Sequence, residues 1–335
     1  MASPRSLAAE RTPRGRVPDF FIVGHAKSGT TALYEMLRSH PQIFMPDSKE
    51  PMFFARNPDA EPAAPGAPRS FEQTGRRTET LEQYTALFAP AESGQLAGEA
   101  STFYLFTPEA PARIAAAQPD ARIIAILREP AGFLHSLHMQ MLQNQAETER
   151  DLLRAIALEP RRREGRDIPR HSYWPRALMY TDRVRYAEQL RRYHEAFGRE
   201  RVLVLIYDDF RADNEASVRR VLRFLDVDVD APLRLVEANP SVGVRAVRAD
   251  TLVRDVREAR SPATRALRAS VRALTSERMR TTLLYPLRRR VVYGAPPAAD
   301  PAVAAELRRR FKPEVAAVSE YLGRDLVSLW GYDAV

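Results

Sequence analysis

Residues 20–31 read FFIVGHAKSGTT: an apolar run ends at Gly24, passes through a turn of small residues and enters a helix. No other segment restricts the possible folds as much. A strand that feeds a turn at a helix start leaves the first-turn N–H groups unpaired, at the positive end of the helix dipole. Such a junction cradles an anion. Gly24 and Gly29 permit close backbone approach, Thr30 and Thr31 offer hydroxyl donors beside Ser28, and Lys27 adds a full charge. The segment predicts a phosphate-binding strand–loop–helix unit. A tight turn without a ligand would leave Lys27 unexplained. The Gly24/Gly29 spacing matches the front of G-x-x-x-x-G-K-[ST], but Thr30 stands where that pattern has lysine. The Lys–Ser/Thr pair that serves a terminal phosphate and Mg²⁺ is thus misplaced, and a P-loop kinase or NTPase fits poorly.

A second segment, ARIIAILREPAGFLHSLHMQMLQNQ at 121–145, begins with the short apolar run Ile123–Leu127 expected of a strand buried on both faces. Arg128 follows it, Pro130 opens a helix, and Ser136 lies two turns in. Arg128 and Ser136 can converge on one anion from a strand end and a helix. Taken alone, the spacing is better explained by a salt-bridged arginine and a solvated serine.

Together, GHAKSGTTALYEML and LREPAGFLHS resemble the sulfotransferases that use 3′-phosphoadenosine 5′-phosphosulfate (PAPS). KEPMFF at 49–54, GEASTFYL at 98–105 and VLVLIYDDFRADNEASVRRVLRFLDVD at 202–228 extend the likeness along nearly the whole chain, from about Asp19 to Trp330. The resemblance implies a three-layer, P-loop-like α/β fold and transfer of a sulfuryl group to a hydroxyl or amine acceptor, without a metal. It implies that Lys27, Ser28, Gly29, Thr30 and Thr31 hold the 5′-phosphosulfate and that Arg128 and Ser136 hold the 3′-phosphate. SVGVRAVR at 241–248 is the candidate late loop, with Arg245 and Arg248 as further donors. Glu50 matches the catalytic glutamate of the glycan-type branch. Its neighbours Met52, Phe53 and Phe54 are apolar enough to raise a carboxylate pKa by desolvation. Pairing with Lys49 or Arg56 at the surface is the competing account of Glu50, and His25, His135 and His138, beside the cofactor motifs, are competing bases. Glycan-type members often read Glu-Lys-Ser where this chain has Glu99-Ala100-Ser101, so a second catalytic lysine is missing.

The composition agrees. The chain has 335 residues, 44% hydrophobic and 28% charged, which describes a globular protein able to bury a large core. It has no cysteine, which excludes disulfides, thiolate metal sites and cysteine nucleophiles. No apolar run is long enough to span a membrane or serve as a signal peptide, from which a cytoplasmic enzyme is expected; the likeness of 202–228 to bacterial members of the family implies a bacterial one. The net charge of +8 comes from arginines crowded at 161–170 and 245–290. Solvated helix faces account for them as well as an anionic partner does. Basic patches interleaved with aromatics are not evident, and no nucleic-acid partner is expected, although a non-catalytic nucleotide-binding module stays open.

Strands expected at Asp19–Gly24, near 95–99, up to Arg128 and at 201–206 alternate with helices at Thr30–Ser39, 79–88, 109–117, 180–197 and 214–225. This alternation predicts a central parallel sheet flanked by helices, with ligands at the carboxyl ends of its strands. Residues 1–18 read as a flexible basic arm ahead of a single domain over 19–335. Residues 55–78 read as a mobile loop, 159–178 as an irregular basic stretch, and 250–335 as a helical part without further strands.

Overall fold

Short apolar runs become the strands of one sheet because each is flanked by turn-forming residues and buried along its length. The computed structural model describes residues 15–55, 80–169, 172, 174–236 and 299–335, with the backbone of 243–244 and 293–294. The chain divides into two compact units. The first comprises Met1–Phe133, Tyr180–Asn239 and Arg308–Val335; the second comprises Leu134–Met179 and Pro240–Leu307.

The strands of the first unit are β1 (Phe20–Gly24), β2 (Ile43–Phe44), β3 (Leu96–Ala100), β4 (Arg122–Leu127) and β5 (Val202–Ile206). They pair in parallel in the order β2-β3-β1-β4-β5. β1 is therefore central, with Phe20 in register with Gly98 on one side and Arg122 on the other. The helices, in chain order, are α1 (Thr30–Arg38), α2 (Leu81–Ala86), α3 (Ala110–Ala117), α4 (Pro130–Gln143), α5 (Leu152–Ala157), α6 (Glu159–Arg163), α7 (Tyr180–Arg183), α8 (Tyr186–Phe197), α9 (Tyr207–Ala212) and α10 (Asn214–Leu225). After the antiparallel pair of β6 (Gly243–Val244) and β7 (Tyr293–Gly294) come α11 (Pro301–Leu322) and α12 (Leu326–Leu329).

The apolar stripes of α1 (Leu33, Met36, Leu37) and α10 (Val218, Val221, Leu222, Leu225) pack with Phe20, Ile22, Ile124 and Ile126 from the sheet. α8 packs against β4 and β5, and against α3. The C-terminal residues are tied to the first unit by polar bonds. Arg324 grips Asp209 with two hydrogen bonds, Trp330 Nε1 donates to Asp208, and Tyr332 donates to Glu129 at 2.8 Å. In the second unit a fully buried Arg162 bonds both carboxylate oxygens of Glu147, at 2.7 and 2.8 Å, close to α6.

Several expectations need correction. The helix expected over 180–197 is broken into α7 and α8, and the Gln189 amide bridges the break by donating to Asp182 O at 2.7 Å. The stretch 159–178 is not irregular throughout. It contains α6, started by Pro160 in its first turn, and a 3₁₀ turn at Pro175–Leu178. β2, β6 and β7, at two residues per strand, are too short to leave a periodic signal, and with β7 a strand does occur beyond residue 250. α9, directly after β5, was also not expected. Within the stretch read as an arm, Arg16 bonds Asp19 at 2.6 Å. The remainder of that arm up to residue 14, and the loop at 56–78, lie outside the described residues.

β3 must run close beside β1, and a Cβ on Gly98 would fall 2.1 Å from Phe20 and 2.4 Å from Met45. We expect Gly98→Ala to destabilise the protein by about 1–3 kcal/mol through overpacking. Urea unfolding checks this, and an unchanged midpoint would contradict it.

Candidate active site

The loop from β1 to α1 has the expected shape. Gly29 is the N-cap of α1 at φ 82°, and a Cβ there would sit 2.9 Å from the Phe210 ring. Only glycine combines that left-handed backbone with that contact. No side chain caps α1, so its first-turn N–H groups face the loop. Ser28 and Thr30 are buried, and Thr31 is exposed. Lys27 is half-buried with φ 61°. Burial, and then the neighbouring Arg128, push its ammonium below the usual lysine range.

Arg128 arrives from the end of β4, which is paired with β1. Its Nη1 donates to Lys27 O at 2.6 Å, its guanidinium lies 4.9 Å from the Tyr207 ring centroid, and Tyr186 donates to its carbonyl at 2.8 Å. Among the described residues no carboxylate forms an ion pair with Lys27 or Arg128. Two cations and a helix N-terminus thus meet with no carboxylate of the described residues paired to either cation. That donor set fits a phosphate or phosphosulfate. The structure therefore brings Lys27, Ser28, Gly29, Thr30, Thr31 and Arg128 together. Ser136 is buried on α4 and belongs to the second unit. Arg245 and Arg248 lie outside the described residues.

Glu50 sits on a segment laid along the end of β3. Its N–H donates to Ala100 O at 3.0 Å. Its Oε2 accepts from Thr102 N at 2.8 Å and Thr102 Oγ1 at 3.2 Å, and its Oε1 accepts Lys49 Nζ at 2.6 Å. The apolar surroundings expected for this carboxylate are not there. Phe54 packs edge-on against Phe21 and Tyr84, and Met52 is likewise buried, while Glu50 keeps three donors and about a fifth of its side-chain surface exposed (21%). The pairing with Lys49 is the one held open from the sequence. It places an ammonium on the Glu50 carboxylate, beside a β3 strand that carries Ala100 instead of lysine.

The strongly desolvated carboxylate is Glu99, which the sequence marked only as part of the altered Glu-Ala-Ser turn. It is fully buried, and burial pushes its carboxyl up to about 7, while bonds from Ser101, Tyr104 and Tyr84 favour the charged form and Glu50 opposes it. No sequence signal distinguishes it, because its environment comes from α2 and the turn after β3. His25 is also fully buried. It lies between Phe133 and Tyr186 and bonds Gln189 Oε1 at 3.2 Å, and burial followed by the Arg183 charge push it down to about 3. A neutral imidazole sealed from solvent is a packing residue of the loop and a poor base. His138 bonds Arg150 O at 3.1 Å.

These two groups act oppositely on stability. Glu99 binds protons more tightly folded than unfolded, so its contribution is fully present below about 4.5 and is lost as the pH rises to about 7. His25 gives stability that is lost as the pH falls from 6.5 towards about 3. Between pH 4.5 and 8 the wild type should therefore lose about 3 kcal/mol relative to Glu99→Gln. Unfolding curves for both proteins across that range check this, and a constant difference would contradict it.

Comparison with known proteins adds the following. Residues 18–231 match the model of the Sulfotransferase family. The crystal structure of a sulfotransferase from Alicyclobacillus acidocaldarius matches with a TM-score of 0.66 and 27% identity, covering 94% of this chain and 99% of that one. Human heparan sulfate glucosamine 3-O-sulfotransferase 6 is 36% identical over 117 residues, 35% of this chain and 28% of the relative. The membrane-associated sulfotransferase kil1 of Dictyostelium discoideum is 33% identical over 116 residues, 34% of this chain and 21% of the relative. The chain thus spans only about a fifth to a third of the lengths of these curated relatives.

Proposed function

The chain belongs to the sulfotransferase family, and from that premise we propose that it transfers the sulfuryl group of PAPS to a hydroxyl or amine acceptor. The observation that carries this reading is the Lys27–Arg128 pair at the α1 N-terminus, two cations with no carboxylate partner among the described residues. PAPS supplies an activated sulfuryl group whose transfer releases adenosine 3′,5′-bisphosphate (PAP). Lys27 sits where it neutralises charge building on the 5′-phosphate as that leaving group departs. The N–H groups of Gly29, Thr30 and Thr31, with the Ser28 and threonine hydroxyls, hold the same phosphate. Arg128 takes the 3′-phosphate, and Ser136, Arg245 and Arg248 are carried over from the family motif as its further donors.

Glu50 accepts the acceptor's proton as the new bond to sulfur forms. Thr102 fixes one of its oxygens, leaving Oε1 to exchange Lys49 for the acceptor. Lys49 then stands beside the reacting atoms, in the part that the missing β3 lysine would play. The acceptor is a small molecule, a lipid or a carbohydrate. The human relative is a 3-O-sulfotransferase of heparan sulfate glucosamine, which favours a carbohydrate hydroxyl as the acceptor. Among the described residues no helix is long and apolar enough to cross a membrane. A bacterial, cytoplasmic location suits this reading, and recovery of the chain in a membrane fraction would contradict it.

Two substitutions test the roles, read as ³⁵S transfer from labelled PAPS to a panel of sugar, phenol and amine acceptors. Lys27→Ala should lower turnover at least about a hundredfold. A near-normal turnover would remove Lys27 from the mechanism. Glu50→Gln should bind PAP as the wild type does and yet lose transfer, and retained transfer would exclude Glu50 as the base.

A further inference from the structure

Glu99 lies beneath the segment that carries Glu50, and no step above uses it. Its Oε2 accepts the hydroxyls of Tyr84 at 2.9 Å and Tyr104 at 2.7 Å. The Tyr104 oxygen in turn accepts the Phe54 N–H at 3.3 Å. Tyr84 stacks on Phe53, with centroids 4.7 Å apart, and meets Phe54 edge-on. Further along, Met52 N donates to Ser101 Oγ at 2.9 Å. The whole of residues 50–54 is thus fastened to residues 99–104.

That fastening has work to do, because Glu50 and Met52 adopt φ of 64° and 53°. Neither is glycine, and such backbone persists only where its surroundings over-determine it. Each tyrosine has one hydroxyl proton, and Glu99 takes both. This leaves the Tyr104 lone pair directed at Phe54 N–H. An apolar residue at 99 would fill the space but release both hydroxyls, and the segment would lose its last hydrogen bond.

We propose that Glu99 is a positioning residue: by orienting the Tyr84 and Tyr104 hydroxyls it holds residues 50–54 in the backbone that presents the Glu50 carboxylate to the acceptor. This rests on the reading of Glu50 as the base. Glu99 also makes the arrangement sensitive to pH near neutrality. The groups that share its field are Tyr84 on α2, Tyr104, Glu50 with its partner Lys49, Tyr34 on α1 and Tyr193 on α8. Burial pushes all four tyrosines above the usual range, so they stay neutral while Glu99 changes charge. The charged form accepts the two hydroxyls more strongly, so the segment tightens as the pH rises.

The test follows the backbone amides of Glu50, Phe54 and Thr102 by ¹⁵N–¹H spectroscopy from roughly pH 5.5 to 8.5. Wild type, Glu99→Gln and Tyr104→Phe are compared, with PAP affinity and the turnover of PAPS to PAP, water serving as acceptor, measured on the same samples. In wild type the three amides should shift together with a midpoint near 7, and turnover should rise several-fold through it. Glu99→Gln keeps an acceptor for both tyrosines, so it should stay folded and active while losing the transition in both readouts. Tyr104→Phe should lower turnover at least about tenfold with PAP affinity unchanged. Amides that do not titrate in wild type, or that titrate equally in Glu99→Gln, overturn the proposal. If the amides follow Glu99 but Glu50→Gln retains full turnover, the base assignment falls and with it the catalytic purpose given to Glu99. If the amides are inert while Glu50→Gln is dead, the positioning role alone falls.

Discussion

Two like charges held side by side at the ends of β1 and β4 are the constraint on which the rest of the site depends. Folding brings Lys27 and Arg128 together, and burial, then the Arg128 charge, disfavour the charged form of the lysine. The α1 N-terminus adds its own partial positive charge. The protein offsets part of this repulsion with neutral groups. Arg128 spends one N–H on Lys27 O and lays its guanidinium over Tyr207. It supplies no carboxylate to either cation among the described residues. A polyanion would relieve all three at once, which is the physical ground for the proposed ligand.

The strand order determines which groups can join this cradle. With β1 between β3 and β4, the loop after β1 has the Arg128 end of β4 on one side and the Glu50 segment, fastened to the end of β3, on the other. The residues proposed for anion binding and for proton removal thereby lie at three adjacent strand ends of one unit. The buried apolar runs of β1 and β4 keep this geometry rigid. The polar groups beneath Glu50 do the same for the base. Glu99 bears the desolvation there, and Glu50 stays hydrogen-bonded and partly exposed, as a group that must meet both substrate and water.

Much of this was legible in the sequence because it is local. β1, the loop and α1 follow from FFIVGHAKSGTT alone, and Arg128 at the end of β4 follows from an apolar run bounded by Pro130. α10 was legible as the helix expected over 214–225, which forms from Asn214 to Leu225. What the sequence hid depends on contacts between distant residues. The break between α7 and α8 is held by Gln189, whose amide also faces His25 across 164 positions. The strongly perturbed carboxylate proved to be Glu99 because Tyr84 and Tyr104, from separate elements, close over it. Apolar neighbours in sequence suggested desolvation for Glu50, yet Phe53 and Phe54 turn toward Tyr84 and leave Glu50 to Lys49 and Thr102. Two-residue strands such as β2 and β7 are too short for any periodicity to reveal.

The central claim is that Lys27 and Arg128 form a site for an adenylate carrying a second phosphate. Calorimetric titration of the full chain with PAP, 5′-AMP and Mg-ATP, repeated on Arg128→Ala, tests it most directly. The account predicts metal-independent PAP binding in the range of about micromolar, far weaker binding of AMP, and loss of that preference in Arg128→Ala. Tighter binding of Mg-ATP than of PAP, or a PAP affinity indifferent to Arg128, would contradict it.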